Sequence, residues 1–377
     1  MAPARARREP LQIPSLDGLR AVSFLLVFAA HAGLDKVIPG GFGVTVFFFL
    51  SGYLITTLMR LEMEETGEVS LSHFYLRRAL RILPPFYIVL VVATLLARAG
   101  LLHGELQPKP VASQFLHLSN YWIAEHGWTG IAQGTSVYWS LAVEEHFYLV
   151  FPAVFLLLCR LRLGGRGKAL AFWGLCALVL AWRCVLVLGL HADVDRTYLC
   201  SDTRIDSIAF GCALAVWGNP ALDRDEWRPQ SPLWGRLLLP GGIALLLVTF
   251  VVRNPAFRET FRYTLQGIGL YPIFVTAVRH PRWLVFRPLN LRPVRFVGAV
   301  SYVLYLVHHV VLEAVQAYPG VGRIAGAAVA LIASMAIAWG MRVVVELPCA
   351  RLRARLEARR RQARAGLAAT TASSTAS

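Results

Sequence analysis

The sequence predicts an all-α fold: a polytopic membrane helical bundle of about ten transmembrane helices with both termini cytoplasmic. Three observations carry that prediction. Of 377 residues, 56% are hydrophobic and only 16% are charged, with a mean hydropathy of +0.54, whereas a soluble domain has about 45–50% apolar and about 25% charged residues. The apolar residues come in repeated runs of roughly twenty, enough to cross about 30 Å of hydrocarbon. The arginines and lysines gather in alternate gaps between the runs. A soluble, disordered, fibrous or disulfide-stapled secreted chain is excluded. The net charge of +16 reads as membrane topology, not as affinity for nucleic acid.

The ten runs fall at 16–34, 42–59, 84–101, 138–158, 169–190, 204–218, 237–252, 263–278, 297–318 and 324–345. The first ends in AAHAGL, a faint likeness to a signal-peptidase site. It carries Arg20 and His31 and is followed by further spans, so it reads as a retained helix. The sixth and eighth are short, as tilted, broken or interfacial elements would be. With the N-terminus inside, 26 of the 38 basic residues fall in inner segments and 9 in outer ones, and Arg20, Arg183 and Arg342 lie within spans. That asymmetry sets the orientation. Residues 1–13 form a basic cytoplasmic arm and 14–348 the membrane domain. Residues 349–377 form a tail, Arg-rich and suited to anionic headgroups at first, then low-complexity ATTASSTAS. In the long outer segment 103–137, residues 115–123 are expected to lie in the interface. The six cysteines are scattered without a C-x-x-C pair, which supports neither a zinc site nor a disulfide framework.

Ionisable residues inside spans are costly and therefore functional candidates. Arg20 and His31 are eleven residues apart, about three helical turns, so they share one face of the first span about 16 Å apart along its axis. They line one polar path, or else Arg20 reaches the headgroups or Asp17 while His31 reaches the outer interface. In the fourth span, SVYWSLAVEEHFYLVFP, Glu144 and Glu145 point about 100° apart and cannot both face one site. The segment HFYLRRALRILPPFY sets Arg78 and Arg81 one turn apart, which suits a bidentate anion clamp as well as it suits ordinary topology-setting charge. In GGFGVTVFFFLSGYLITTL, the small residues Gly41, Gly43, Ser51 and Gly52 favour close helix packing. Asp202, Arg204 and Asp206 read as an internally neutralised cluster. Ser301, Tyr305 and His308 fall on one face of the ninth span, with Glu313 a poor helical neighbour of His308. Arg183 and the Arg342–Glu346 spacing read as structural pairing.

Together these motifs resemble the acyltransferase-3 family of integral-membrane O-acyltransferases. SLDGLRAVSFLLVFAAH is similar to its opening signature of Arg, ten residues and His. GVTVFFFLSGYLIT, RRALR, WSLAVEEHFYL, SDTRIDSIAFG and SYVLYLVHH follow in the family's order, across about residues 14–350. The resemblance implies transfer of an acyl group, acetyl or another short chain, from acyl-CoA to a hydroxyl of a carbohydrate or glycosylated natural product. It implies His31 as the catalytic histidine with Arg20 its partner, Arg78 and Arg81 holding CoA, and Glu144 as the acidic member. Asp17, Ser301, Tyr305 and His308 are then pocket candidates. Acyl-CoA is the co-substrate, with no permanently bound cofactor and no metal, and the location is the bacterial inner membrane. Thr45 stands where the family pattern carries an acid, and His146 where it carries Gln. Some members have a C-terminal extracytoplasmic esterase-like domain, which this chain stops short of, so a separate extracytoplasmic acyl-transfer partner is one expectation. The competing class is a transporter or flippase for an acyl donor or lipid-linked sugar. Such a protein would show repeated halves with matching broken helices, and the sequence has no such symmetry.

Overall fold

The computed structural model describes residues 13–223 and 232–358. Most of the basic arm and the low-complexity tail therefore lie outside the described residues. Among the described residues the regular elements are all helical. Seven helices are long and apolar enough to cross a membrane: α1 (Pro14–Leu34), α2 (Gly40–Thr66), α3 (Leu71–Arg98), α6 (Ser136–Arg160), α7 (Gly165–Gly189), α10 (Trp234–Val251) and α15 (Arg323–Ala358). Between α3 and α6 run the short helices α4 (Pro108–Phe115) and α5 (Ser119–His126), and α8 (Val194–Leu199) and α9 (Ser201–Val216) follow α7. Then come α11 (Pro255–Glu259) and α12 (Phe261–Arg279). An eighth crossing is a broken one, α13 (Arg292–Ala299) and α14 (Ser301–Gln316), bent by 76°. The chain is an integral membrane protein.

Each of the ten predicted runs falls on a helix, but three differ from simple spans. α9 has only 16 residues, and every residue from Asp206 to Val216 is buried by other helices, so it needs no lipid-facing length. α12 carries Arg262 and Gln266 among its apolar residues and has 19 residues. The ninth run is the bent pair. Two boundaries also move. α3 begins at Leu71, so the RRALR segment lies inside a helix and not in a connecting loop. α15 continues to Ala358, 36 residues in all. That is about 54 Å at 1.5 Å per residue, so the start of the basic tail extends the last span.

α2 is the central helix, and its largest interface is with α9. Glycines make the approach possible: a Cβ at Gly52 would lie 2.0 Å from the Ile208 carbonyl oxygen, and one at Gly211 would lie 2.0 Å from that of Phe49. α13 is pressed on α1 in the same way, since a Cβ at Gly298 would meet the Asp17 carbonyl oxygen at 1.8 Å. This contact brings Arg295 and Ser301 to the N-terminal half of α1. The segment between α3 and α6 is tied down by polar bonds: Asn120 donates to Ser201 Oγ at 3.0 Å and Gln114 to the Thr135 carbonyl at 3.1 Å. Tyr302 Oη donates to the Ile82 carbonyl at 2.8 Å and joins α14 to α3.

Candidate active site

A cavity of about 430 Å³ lies between α1, α2, α3, α6, α13, α14 and α15, within the roughly 300–1,000 Å³ of small-molecule sites. Arg20 and Asp17 reach it from α1, Arg78 and Arg81 from α3, and Glu144 from α6. Ser301 and Tyr305 enter from α14. Seven of the nine residues predicted for the site thus have a common location; His31 and His308 do not share it, His308 being the one displaced pocket candidate. In short, Asp17, Ser301 and Tyr305 line the cavity with Arg20, Arg78, Arg81 and Glu144, and the two histidines do not.

Four arginines face three acids there, because Arg295 and Glu346 join the predicted set. Neither Arg20 nor Arg81 has an ion-pair partner within 4.0 Å or a side-chain hydrogen bond among the described residues. The guanidinium of Arg78 lies over the Tyr148 ring, 4.6 Å from its centroid. Tyr148 Oη donates to Glu144 Oε2 at 3.2 Å and shares a short hydrogen bond with Ser51 Oγ. Guanidiniums without partners around a void leave their forks of N–H donors available to an anion.

The imidazoles form a second centre. His31 Nδ1 lies 3.0 Å from His308 Nε2, and the His31 ring stacks on His309 with centroids 4.2 Å apart. His308 is fully buried, packed by Phe24 and Phe28, and its Nδ1 lies 2.8 Å and 3.1 Å from the carbonyl oxygens of Tyr305 and Leu304. His309 Nε2 reaches Glu313 Oε1 at 3.2 Å, and Gln133 donates to Glu313 Oε2 at 2.5 Å. Glu313, a poor helical neighbour of His308 by its spacing, thus pairs with the next residue, His309, at the i,i+4 position that a helix places beside it. The cavity stops at Tyr305, whose hydroxyl bonds Ser140 Oγ at 2.7 Å and whose ring packs on Phe47 and His308. His308 is three residues further along α14, about 4.5 Å of rise. Arg20 and His31 lie on one side of α1 but at different levels, Arg20 lining the cavity and His31 packed against His308 and His309.

Other sequence candidates separate by direction. Glu145 points away from the cavity, and its Oε1 is buried without a hydrogen-bond partner. His146 Nδ1 bonds Ser201 Oγ at 2.7 Å. Asp202, Arg204 and Asp206 do not neutralise one another, because residues two apart on a helix point about 200° apart. Asp202 pairs with Arg196 at 2.5 Å, and Asp206 with Arg183 at 2.7 Å. Arg204 is enclosed by the rings of Phe48, Trp139, Tyr198 and Tyr263, the closest centroid at 4.2 Å, and reaches Thr45 Oγ1 at 3.4 Å. Cation–π contacts thus occupy the place of the carboxylate that Thr45 does not supply. Arg342 donates to the Ala299 carbonyl at 3.2 Å and holds the bend before α14, in place of the expected bond to Glu346. Arg295 and Tyr148 were not singled out in the sequence, and Glu346 was read only as the structural partner of Arg342. Of the first two, Tyr148 had a usable signal, its i,i+4 spacing from Glu144.

These features define an integral membrane protein with a polar internal site built on its own helices. An acyltransferase-domain model matches residues 13–343, and the chain belongs to the acyltransferase-3 family. It is 29% identical over 80% of its length to a peptidoglycan O-acetyltransferase, OatA, of Listeria monocytogenes, covering 49% of that protein. It is 30% identical over 83% of its length to a putative O-acetyltransferase of Staphylococcus aureus, covering 52% of it. An O-acetyltransferase OatA of Staphylococcus aureus is 29% identical over 84% of the chain, with 53% of that protein covered. The chain spans about half the length of these relatives. No solved structure matches.

Proposed function

We propose that the protein is a bacterial inner-membrane O-acyltransferase. It moves an acetyl or other short acyl group from cytoplasmic acyl-CoA to a hydroxyl of an envelope carbohydrate or related glycosylated acceptor. The observation that carries this reading is the pair of arginines without partners among the described residues, Arg20 and Arg81, beside Arg78 on a cavity that ends one helical turn from the His31–His308 imidazole pair. Membership of an acyltransferase family favours this over a transporter or flippase, and the names of the relatives favour acetyl transfer and an envelope acceptor.

In this reading Arg78 and Arg81, with Arg295, hold the phosphates of CoA at the arginine-rich end. Glu144, bonded to Tyr148, offsets the excess positive charge and orients the Arg78 side of the cavity. The thioester arm passes Tyr305 and Phe47, so productive binding requires the Tyr305 side chain to swing from Ser140. The acceptor oxygen attacks the thioester carbonyl while His31 Nε2 takes the hydroxyl proton as general base. Collapse of the tetrahedral intermediate breaks the C–S bond, and the proton on His31 passes to the departing CoA sulfur. Imidazole suits both halves of this exchange because its ordinary pKa lies near working pH. The distribution of basic residues supports cytoplasmic termini, and in that orientation the arginine cavity, beside the start of α1, faces the side where acyl-CoA is found.

The test is acyl transfer from labelled acetyl-CoA to envelope saccharides in proteoliposomes. His31→Ala is expected to abolish product, and full activity in that variant would refute the base assignment. If transport of the donor or saccharide persisted without any acylation by the native protein, the enzyme reading would fall.

A further inference from the structure

The two centres meet at His308, and the hydrogen bonds around it determine more than its position. A carbonyl oxygen only accepts, so the 2.8 Å and 3.1 Å contacts of His308 Nδ1 to the Tyr305 and Leu304 carbonyls place the ring hydrogen on Nδ1. His308 has no carboxylate among its polar partners and is fully enclosed, so its ring is neutral, an unpaired charge there being too costly. Its Nε2 is then a bare acceptor. His31 Nδ1, 3.0 Å away, must donate to it. A neutral His31 with its hydrogen on Nδ1 carries its lone pair on Nε2.

We propose that His308 is the positioning residue of the site, fixing His31 in the one tautomer whose Nε2 can take a proton. His309, the next residue of α14, adds the second restraint: its ring stacks on that of His31 at 4.2 Å. One neighbour holds the edge of the His31 ring and the other its face. Glu313 and Gln133 in turn anchor His309. When His31 accepts the proton of the acceptor hydroxyl, the Nδ1–H bond to His308 strengthens, because the donor is then charged. The inference rests on His31 being the base.

Two amide substitutions separate this role from simple packing. In His308→Gln the side-chain oxygen reaches about as far as Nε2 and can accept from His31. In His308→Asn the shorter amide can still bond the carbonyls of its own helix but not His31. His308→Gln is expected to keep kcat within about threefold, and His308→Asn to lose about 10- to 100-fold in kcat with the KM for acetyl-CoA unchanged, the range of one lost hydrogen bond to a charging group. Equal kcat in the two variants, or a loss confined to the KM for acetyl-CoA, overturns the proposal. A measurement on the unaltered residue makes the outcome independent of how the variants fold. Nitrogen-15 spectra of histidine-labelled protein in proteoliposomes, with the His31 signals identified by their loss in His31→Ala, should show Nδ1 protonated and Nε2 bare. A protonated Nε2 overturns the proposal. His31→Ala with full activity would remove the base reading itself, whereas an inactive His31→Ala beside a fully active His308→Asn removes only this inference.

Discussion

Arg183 and Arg81 both lie in helices long and apolar enough to cross a membrane, and the structure treats them in opposite ways. Arg183 is fully buried and saturated: it pairs with Asp206 at 2.7 Å, donates to the carbonyls of Thr260 and Thr203, and reaches Thr264 Oγ1. Arg81 faces the cavity with Arg20 and has no such partner among the described residues. Arg204 stands between these extremes, caged by four aromatic rings. Residue type and location in a spanning helix therefore do not separate a structural arginine from one left available to a ligand. The number of donors already satisfied does.

That contrast is open to direct attack. Arg183→Leu leaves Asp206 buried and unpaired, which should cost about 3–5 kcal/mol of stability, read as a large fall in the thermal midpoint in detergent. An unchanged midpoint would mean that the pair is not holding α7 to α9. Gly298→Val drives a side chain into the Asp17 carbonyl and should cost about 1–3 kcal/mol. It should also raise the KM for acetyl-CoA by displacing Arg295, and an unaffected KM would remove α13 from the donor site. Arg81→Leu, by contrast, removes an unpaired cation and should leave the midpoint unchanged or higher while weakening the donor. A fall comparable to that of Arg183→Leu would erase the distinction. The smallest effect belongs to Thr45→Asp, which offers Arg204 a carboxylate. A buried pair is often close to neutral in net stability, so the midpoint should move by no more than about 1 kcal/mol equivalent, and a larger gain would show that the aromatic cage is a poor substitute.

The positions of the helices were legible because lipid demands long apolar runs with internally satisfied backbones. The bend before α14 was not, since it depends on Gly298 meeting α1 and on Arg342 reaching across to Ala299. Within the site, the spacings identified which residues leave a helix together. The eleven-residue interval put Arg20 and His31 on one side of α1, yet it held no information about what covers each level. At Arg20 the neighbouring helices leave a void, whereas at His31 the residues of α14 close in. Glu144 illustrates the same limit: its type and depth marked it out, but it lies with Tyr148 and the arginines and not beside His31. Arg295 and Glu346 come from elements distant in sequence, and no local pattern ties them to the RRALR segment.

The central claim is that donor capture and proton transfer belong to different levels of the helical bundle. Equilibrium binding of a non-transferable acetyl-CoA analogue to the purified protein tests it most directly. The account predicts that His31→Ala binds the analogue as the unaltered protein does, while Arg78→Ala combined with Arg81→Ala loses at least about tenfold in affinity, on the order of one charge-assisted contact. Normal binding by the double arginine variant, or lost binding in His31→Ala, would contradict it.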